Sequence, residues 1–172
     1  MPFQTEKLTL DNGIKIGSNK APIKVIEFVN WRCPDARNYQ LDIAMSLNKY
    51  IEQGHVQRII KHFDKHKGLL EKGNILNQYI DYGKPDEAYQ LIEQIYQKQN
   101  EWGNLDFQDI PHFAESLNLS LQANNKDLAK AVQAEIDAVG IEFVPTIFVN
   151  DQAFVETFSK EVFIQAVESN LV

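Results

Sequence analysis

Ile23-Lys24-Val25-Ile26-Glu27-Phe28-Val29-Asn30-Trp31-Arg32-Cys33-Pro34-Asp35-Ala36 is the stretch that decides the architecture. Ile23 to Asn30 is mostly apolar and rich in β-branched and aromatic side chains, as a central strand covered on both faces would be. Trp31-Arg32-Cys33-Pro34 ends it. Pro34 then opens a helical pattern, since proline suits the first turn, where its missing N–H is not needed. Ala36, Tyr39, Ile43, Leu47 and Tyr50 recur at spacings of three and four and draw one apolar stripe, which Gly54 stops. Val56 to Phe63 reads as the next strand, so the unit is strand, helix, strand.

Upstream, Lys7 to Leu10 suggests a short strand, Asn12-Gly13 a tight turn and Ile14 to Ile16 the returning arm. Downstream, the period is helical from Lys67 to about Asn125. One helix carries Leu69, Leu76, Tyr79 and Ile80, a second starts at Pro85 and carries Ala88, Leu91, Ile92, Ile95 and Tyr96, and a third carries Ile110, Phe113, Ala114 and Leu117. Asn125 is placed to cap a fourth, with Leu128, Ala131, Val132 and Ile136 on its apolar face and Gly140 at its end. Val144 to Asn150 reads as a strand, Asp151-Gln152 as a turn and Ala153 to Phe158 as its hairpin partner. Ser159 caps a final helix with Val162, Phe163, Ala166 and Val167 inward. The order βαβ, helices, α, ββα describes an α/β domain of residues 1–66 and 126–172 with an all-helical insertion at 67–125.

The 172 residues hold 44% hydrophobic and 24% charged side chains, enough for an ordinary core and too apolar for disorder. A net charge of -7 and a pI near 5.1 argue against a nucleic-acid partner. No basic segment followed by an apolar run marks a leader, and no apolar stretch approaches the ~18 residues of a membrane span. The expectation is a cytoplasmic protein with neither nucleic-acid nor membrane partner.

Cys33 is the only cysteine, so no internal disulfide forms. A lone cysteine is by default a packing residue. Cys33, however, stands where a buried strand hands over to a helix that Pro34 begins, which makes it the N-cap. The N–H groups of Asp35 and Ala36 and the positive helix end would then favour a thiolate, the attacking species in disulfide exchange. Arg32 and Arg37 would help, whereas the Asp35 carboxylate would oppose. The net expectation is a depressed thiol pKa.

Phe28-Val29-Asn30-Trp31-Arg32-Cys33-Pro34-Asp35-Ala36 resembles the active-site segment of DsbA-like thiol–disulfide oxidoreductases of the thioredoxin fold, whose motif is Cys-Pro-x-Cys. Ile141 to Asn150, with Val144-Pro145-Thr146 at its centre, resembles the cis-proline segment of that family. The resemblance implies a thioredoxin-like sheet, a cis Pro145 beside Cys33, and a Val144 backbone that pairs with an extended substrate, with Trp31 and Thr146 alongside. The second cysteine of the family is Ala36 here. Cys33 can form a mixed disulfide, but a separate thiol must resolve it, and an internal dithiol mechanism is excluded. Glutathione, another low-molecular-weight thiol or a disulfide-containing protein would be the partner, with no cofactor held permanently.

Three readings follow. One is monothiol exchange through Cys33, with glutathione binding as in the related kappa-class transferases as a variant. Another is a non-catalytic module that grips a peptide around Cys33 and Val144. The last is a homodimer linked through Cys33, or a redox sensor oxidised there. His62 and His66 lie four apart but lack a third ligand and read as a solvated polar segment. His55 and His112 are isolated, so no metal site is expected.

Overall fold

A computed structural model describes residues 2–171. Its five strands are β1 (Ile14–Ile16), β2 (Ile23–Val29), β3 (Val56–His62), β4 (Thr146–Val149) and β5 (Gln152–Val155). They form one sheet in the order β1-β3-β2-β4-β5. β2 runs parallel to β3 and antiparallel to β4, while β1 and β5 are antiparallel edges. The helices are α1 (Pro34–Asn38), α2 (Asn48–Glu52), α3 (Glu71–Asn77), α4 (Pro85–Gln97), α5 (Gln99–Trp102), α6 (Ile110–Ser116), α7 (Asn125–Val139) and α8 (Lys160–Glu168). This is a thioredoxin-like fold, as the strand–helix–strand pattern implied.

The apolar run of β2 is buried because β3 and β4 flank it and helices cover both faces. Register then places the site. Val29 pairs with His62 and Phe28 with Thr146, so the loop leaving β2 meets both the end of β3 and the residues just before β4. Ile80, Ile92, Ile95 and Trp102, from residues 67–125, share one buried cluster with Ile26 and Phe28 of the sheet.

Several local expectations need correction. Lys7 to Leu10 is not a strand: Thr5–Lys7 is a 3-10 turn, and β1 pairs with β3 instead. Thr9 is held by buried side chains, its carbonyl accepting from Lys61 Nζ at 2.7 Å and its N–H donating to Glu135 Oε2 at 2.8 Å. The stretch expected to be one regular helix after Pro34 contains a wide π turn at Tyr39–Ile43 and a tight 3-10 turn at Ala44–Leu47 between α1 and α2. The wide turn carries Gln40, whose Oε1 accepts from buried Arg58 at 2.7 Å. Leu69 is 55% exposed, off the apolar face assigned to it. Asn125 is not a cap but the first residue of α7. Its amide donates to Asn77 O and Ile80 O at 2.9 and 2.7 Å, tying off the chain beyond α3. The last hairpin turns at Asn150-Asp151, one residue early, because Asn150 takes the left-handed conformation with φ of 52°. Ser159 caps α8 as expected, accepting from Val162 N–H at 3.3 Å.

Candidate active site around Cys33

Cys33 is the N-cap of α1 and Pro34 its first residue. The extended backbone of Cys33, φ -72° and ψ 122°, carries the chain from strand to helix. Four side chains fix this loop. Asn30, fully buried, donates through Nδ2 to Phe63 O and Asn74 Oδ1 at 3.0 Å and accepts the Arg32 N–H at 2.9 Å. Gly73 on α3 lets Asn30 approach, because a Cβ there would collide with Asn30 Oδ1. His62 Nε2 accepts the Trp31 N–H at 3.1 Å while Nδ1 faces Asp64 Oδ1 at 2.6 Å, so the neutral ring carries its proton on Nδ1. Asn77 Oδ1 accepts from the Trp31 indole at 3.3 Å. From α5, Gln99 Nε2 donates to both Trp31 O and Cys33 O, at 2.8 and 3.1 Å.

The Val144–Pro145 peptide bond is cis, and the Cys33 Sγ donates to Val144 O at 3.6 Å. The two chain segments singled out for their resemblance therefore meet, 111 positions apart. Ala36, at the position where the resemblance implied a second cysteine, is fully buried. The Tyr96 hydroxyl is also buried here without a hydrogen-bond partner, and burial followed by the nearby Cys33 charge pushes its pKa up.

The thiol differs from expectation. Cys33 is only 6% exposed, and burial pushes its pKa up rather than down. The N–H groups of Ala36 and Asp35 pull toward the thiolate, as the N-cap position implied, but burial outweighs them, and Asp35 and Glu156 add to it. Neither arginine turns to the sulfur: Arg32 Nε donates to Gly103 O at 3.2 Å and Arg37 Nη1 to Asn100 Oδ1 at 3.1 Å. Both are drawn to α5 and its cap.

All four residues expected at a substrate surface are buried, Val144 at 7% exposure and Pro145 included. Trp31 is fully buried, packed against His62 and Tyr96 at 4.8 and 5.9 Å. Thr146 is 1% exposed and its hydroxyl donates to Phe143 O at 2.6 Å. His62, expected in a solvated segment, is buried, while His66 is exposed and faces Glu71. Among the described residues no three acidic, histidine or cysteine side chains gather as a metal site, and no helix is long and apolar enough to cross a membrane. A cavity of about 170 Å³ lined by Asp35, Tyr39, Glu156 and Phe158 adjoins the helix start. Another, of about 490 Å³, lies among Asp64, His66, Phe107 and Lys126 and does not include Cys33. The one-dimensional pattern carried no signal for Gln99, and His62 was legible only as a strand residue.

Comparison with known proteins agrees with this geometry. A family model described as Thioredoxin matches residues 9–169. Disulfide bond formation protein D of Bacillus subtilis (strain 168) is 24% identical over 151 residues, covering 80% of this chain and 67% of that protein. A conserved protein of unknown function from Enterococcus faecalis V583 superposes with a TM-score of 0.91 at 37% identity, over 96% of this chain and 95% of that one. Oxidised BdbD from Bacillus subtilis gives a TM-score of 0.72 at 16% identity over 95% of each chain. The chain thus belongs to the thioredoxin family, with the fold seen in DsbA-like thiol–disulfide oxidoreductases.

Proposed function

We propose that the protein performs monothiol disulfide exchange through Cys33. The observation that carries this is the meeting of the helix-capping Cys33 with the Val144–Pro145 carbonyl over a buried alanine. The Cys33 thiolate attacks one sulfur of a substrate disulfide, RS–SR′. A Cys33–S–S–R bond forms and R′S⁻ leaves. Ala36 offers no second thiol, so an external thiolate attacks the mixed disulfide, releases R as its own disulfide and restores Cys33. The substrate is a disulfide-containing protein or a small disulfide. The resolving thiol is glutathione or another low-molecular-weight thiol, and the reaction belongs in the cytoplasm, where such thiols are abundant.

Burial shapes the kinetics. A thiol of raised pKa ionises little at neutral pH, which slows attack. It is also a poor leaving group, which prolongs the mixed disulfide until an external thiol reaches it. Among the described residues Val144 O accepts only the weak S–H donor of Cys33, so an extended substrate N–H can take that place and release the sulfur. Protein purified without reductant is expected to carry a thiol adduct on Cys33 by intact mass, absent from Cys33→Ser. Unmodified wild type that stays unmodified after incubation with excess disulfide contradicts the proposal.

The buried thiol also favours a second reading: a peptide-binding module without turnover. Cys33→Ser that keeps partner affinity, alongside a wild type inert to disulfides, selects it.

A further inference from the structure

Among the described residues, buried cations are matched with acids, with one exception. Arg58 meets Glu27 and Lys61 meets Glu135, each at 2.6 Å. Lys72 on α3 is 6% exposed and forms no ion pair with a carboxylate among the described residues. Its Nζ donates to Gly103 O at 3.0 Å and stands 5.4 Å from the Phe107 ring centre. Arg32 Nε donates to that same oxygen at 3.2 Å, so the two cationic nitrogens are at most 6.2 Å apart. One neutral carbonyl thus serves two cations in a chain that carries 24 acidic residues against 17 basic ones. Charges taken from water are normally paired.

The arrangement is built around the reactive loop. Arg32 is the residue before Cys33, and Gly103 closes α5, the helix from which Gln99 holds Cys33 O. A side chain at Gly103 would strike Arg32 Nε and Gln99 O, so only glycine lets the arginine lie on this backbone. Arg32 Nε is occupied, whereas its Nη1 and Nη2 donate to nothing among the described residues. A guanidinium edge of this kind takes a carboxylate with two parallel bonds. Near the sulfur itself the influential charges are Asp35 and Glu156, which repel an anion. The Arg32–Lys72 pair therefore offers a carboxylate arriving with a disulfide a favourable place beside the reactive loop.

We infer that Arg32 and Lys72 form an anion-recognition notch that selects disulfides bearing a carboxylate close to the sulfur attacked by Cys33. This rests on the exchange reading and specifies its substrate. The bound carboxylate supplies the counter-charge that both cations lack, and its recognition leaves the bonds made and broken at sulfur unchanged.

The test compares two aromatic disulfides, each followed by absorbance of the released thiolate. One is 5,5′-dithiobis(2-nitrobenzoate), with a carboxylate on each half, and the other is neutral 2,2′-dithiodipyridine. The ratio of anionic to neutral rate is measured for wild type, Arg32→Gln, Arg32→Lys and Lys72→Met, at low and high salt. The expected result is a ratio that falls about tenfold in Arg32→Gln, less in Lys72→Met, is partly restored in Arg32→Lys, and declines with salt in the wild type. A ratio indifferent to Arg32 overturns the notch while leaving exchange intact. Failure of Cys33 to react with either probe overturns the exchange reading instead. If Lys72→Met does not fold, the two Arg32 variants decide.

Discussion

Two loops meet at the sulfur, and they are held in different ways. The loop from Asn30 to Cys33 is fastened by side chains from three directions: buried His62 on β3, half-buried Asn74 and buried Asn77 on and at the end of α3, and buried Gln99 on α5. The loop from Glu142 to Pro145 is held through its carbonyls. Phe143 O accepts from Thr146, Pro145 O from the Glu156 N–H, and Glu142 O from half-buried Lys65. Val144 O is left with a thiol at 3.6 Å, the weakest donor available. Strong bonds saturate the loop that carries the nucleophile, and a weak one marks where the second loop can accept something else. The nucleophile is positioned by the sheet and the helical insertion, and the weakly bonded Val144 carbonyl lies across from it.

The largest expected effect breaks the first loop. Asn30→Ala leaves Arg32 N–H and the carbonyls of Phe63 and Leu70 without their buried partner, and should cost about 3 kcal/mol in urea unfolding. Gln99→Leu removes two bonds to the same loop from the other side. A loss of about 1–2 kcal/mol is expected, together with faster alkylation of Cys33 as the loop loosens; unchanged alkylation would show that β3 and α3 suffice.

The acidity of Cys33 gives a prediction in pH. Its folded-state pKa lies above the ordinary thiol value, so the folded protein favours the neutral thiol. The corresponding stability is fully present below the unfolded thiol pKa and is lost as pH rises through the folded value. Stability of the wild type, but not of Cys33→Ser, should decline across that alkaline window. The alkylation midpoint should lie above that of a free thiol and move down in Asp35→Asn. The smallest effect belongs to the second loop. Phe143→Ala, at a half-exposed side chain with only Lys65 over its ring, should change stability by no more than about 0.5 kcal/mol.

The same contrast explains what a reader of the sequence could see. The apolar run of β2, the Cys33-Pro34 junction and the Ser159 cap are local patterns, and local chemistry produced them. The meeting of Cys33 with Val144 was legible only by resemblance. What depended on distant partners was not visible. Arg32 and Arg37 flank the cysteine in sequence, yet α5, more than sixty positions on, draws both away. The raised thiol pKa follows from burial by the folded chain, which outweighs a helix end that points the other way. Lys7 to Leu10 has the composition of a strand, but the Lys61–Glu135 pair claims the backbone of Thr9.

The central claim is that Cys33 turns over only with outside help. Protein mixed with excess 2,2′-dithiodipyridine and no other thiol should release one equivalent of pyridinethione and stop. Adding a low-molecular-weight thiol should restart release above the uncatalysed rate, and Cys33→Ser should show neither phase. Continued catalysis without added thiol, or no first equivalent at all, would contradict the account.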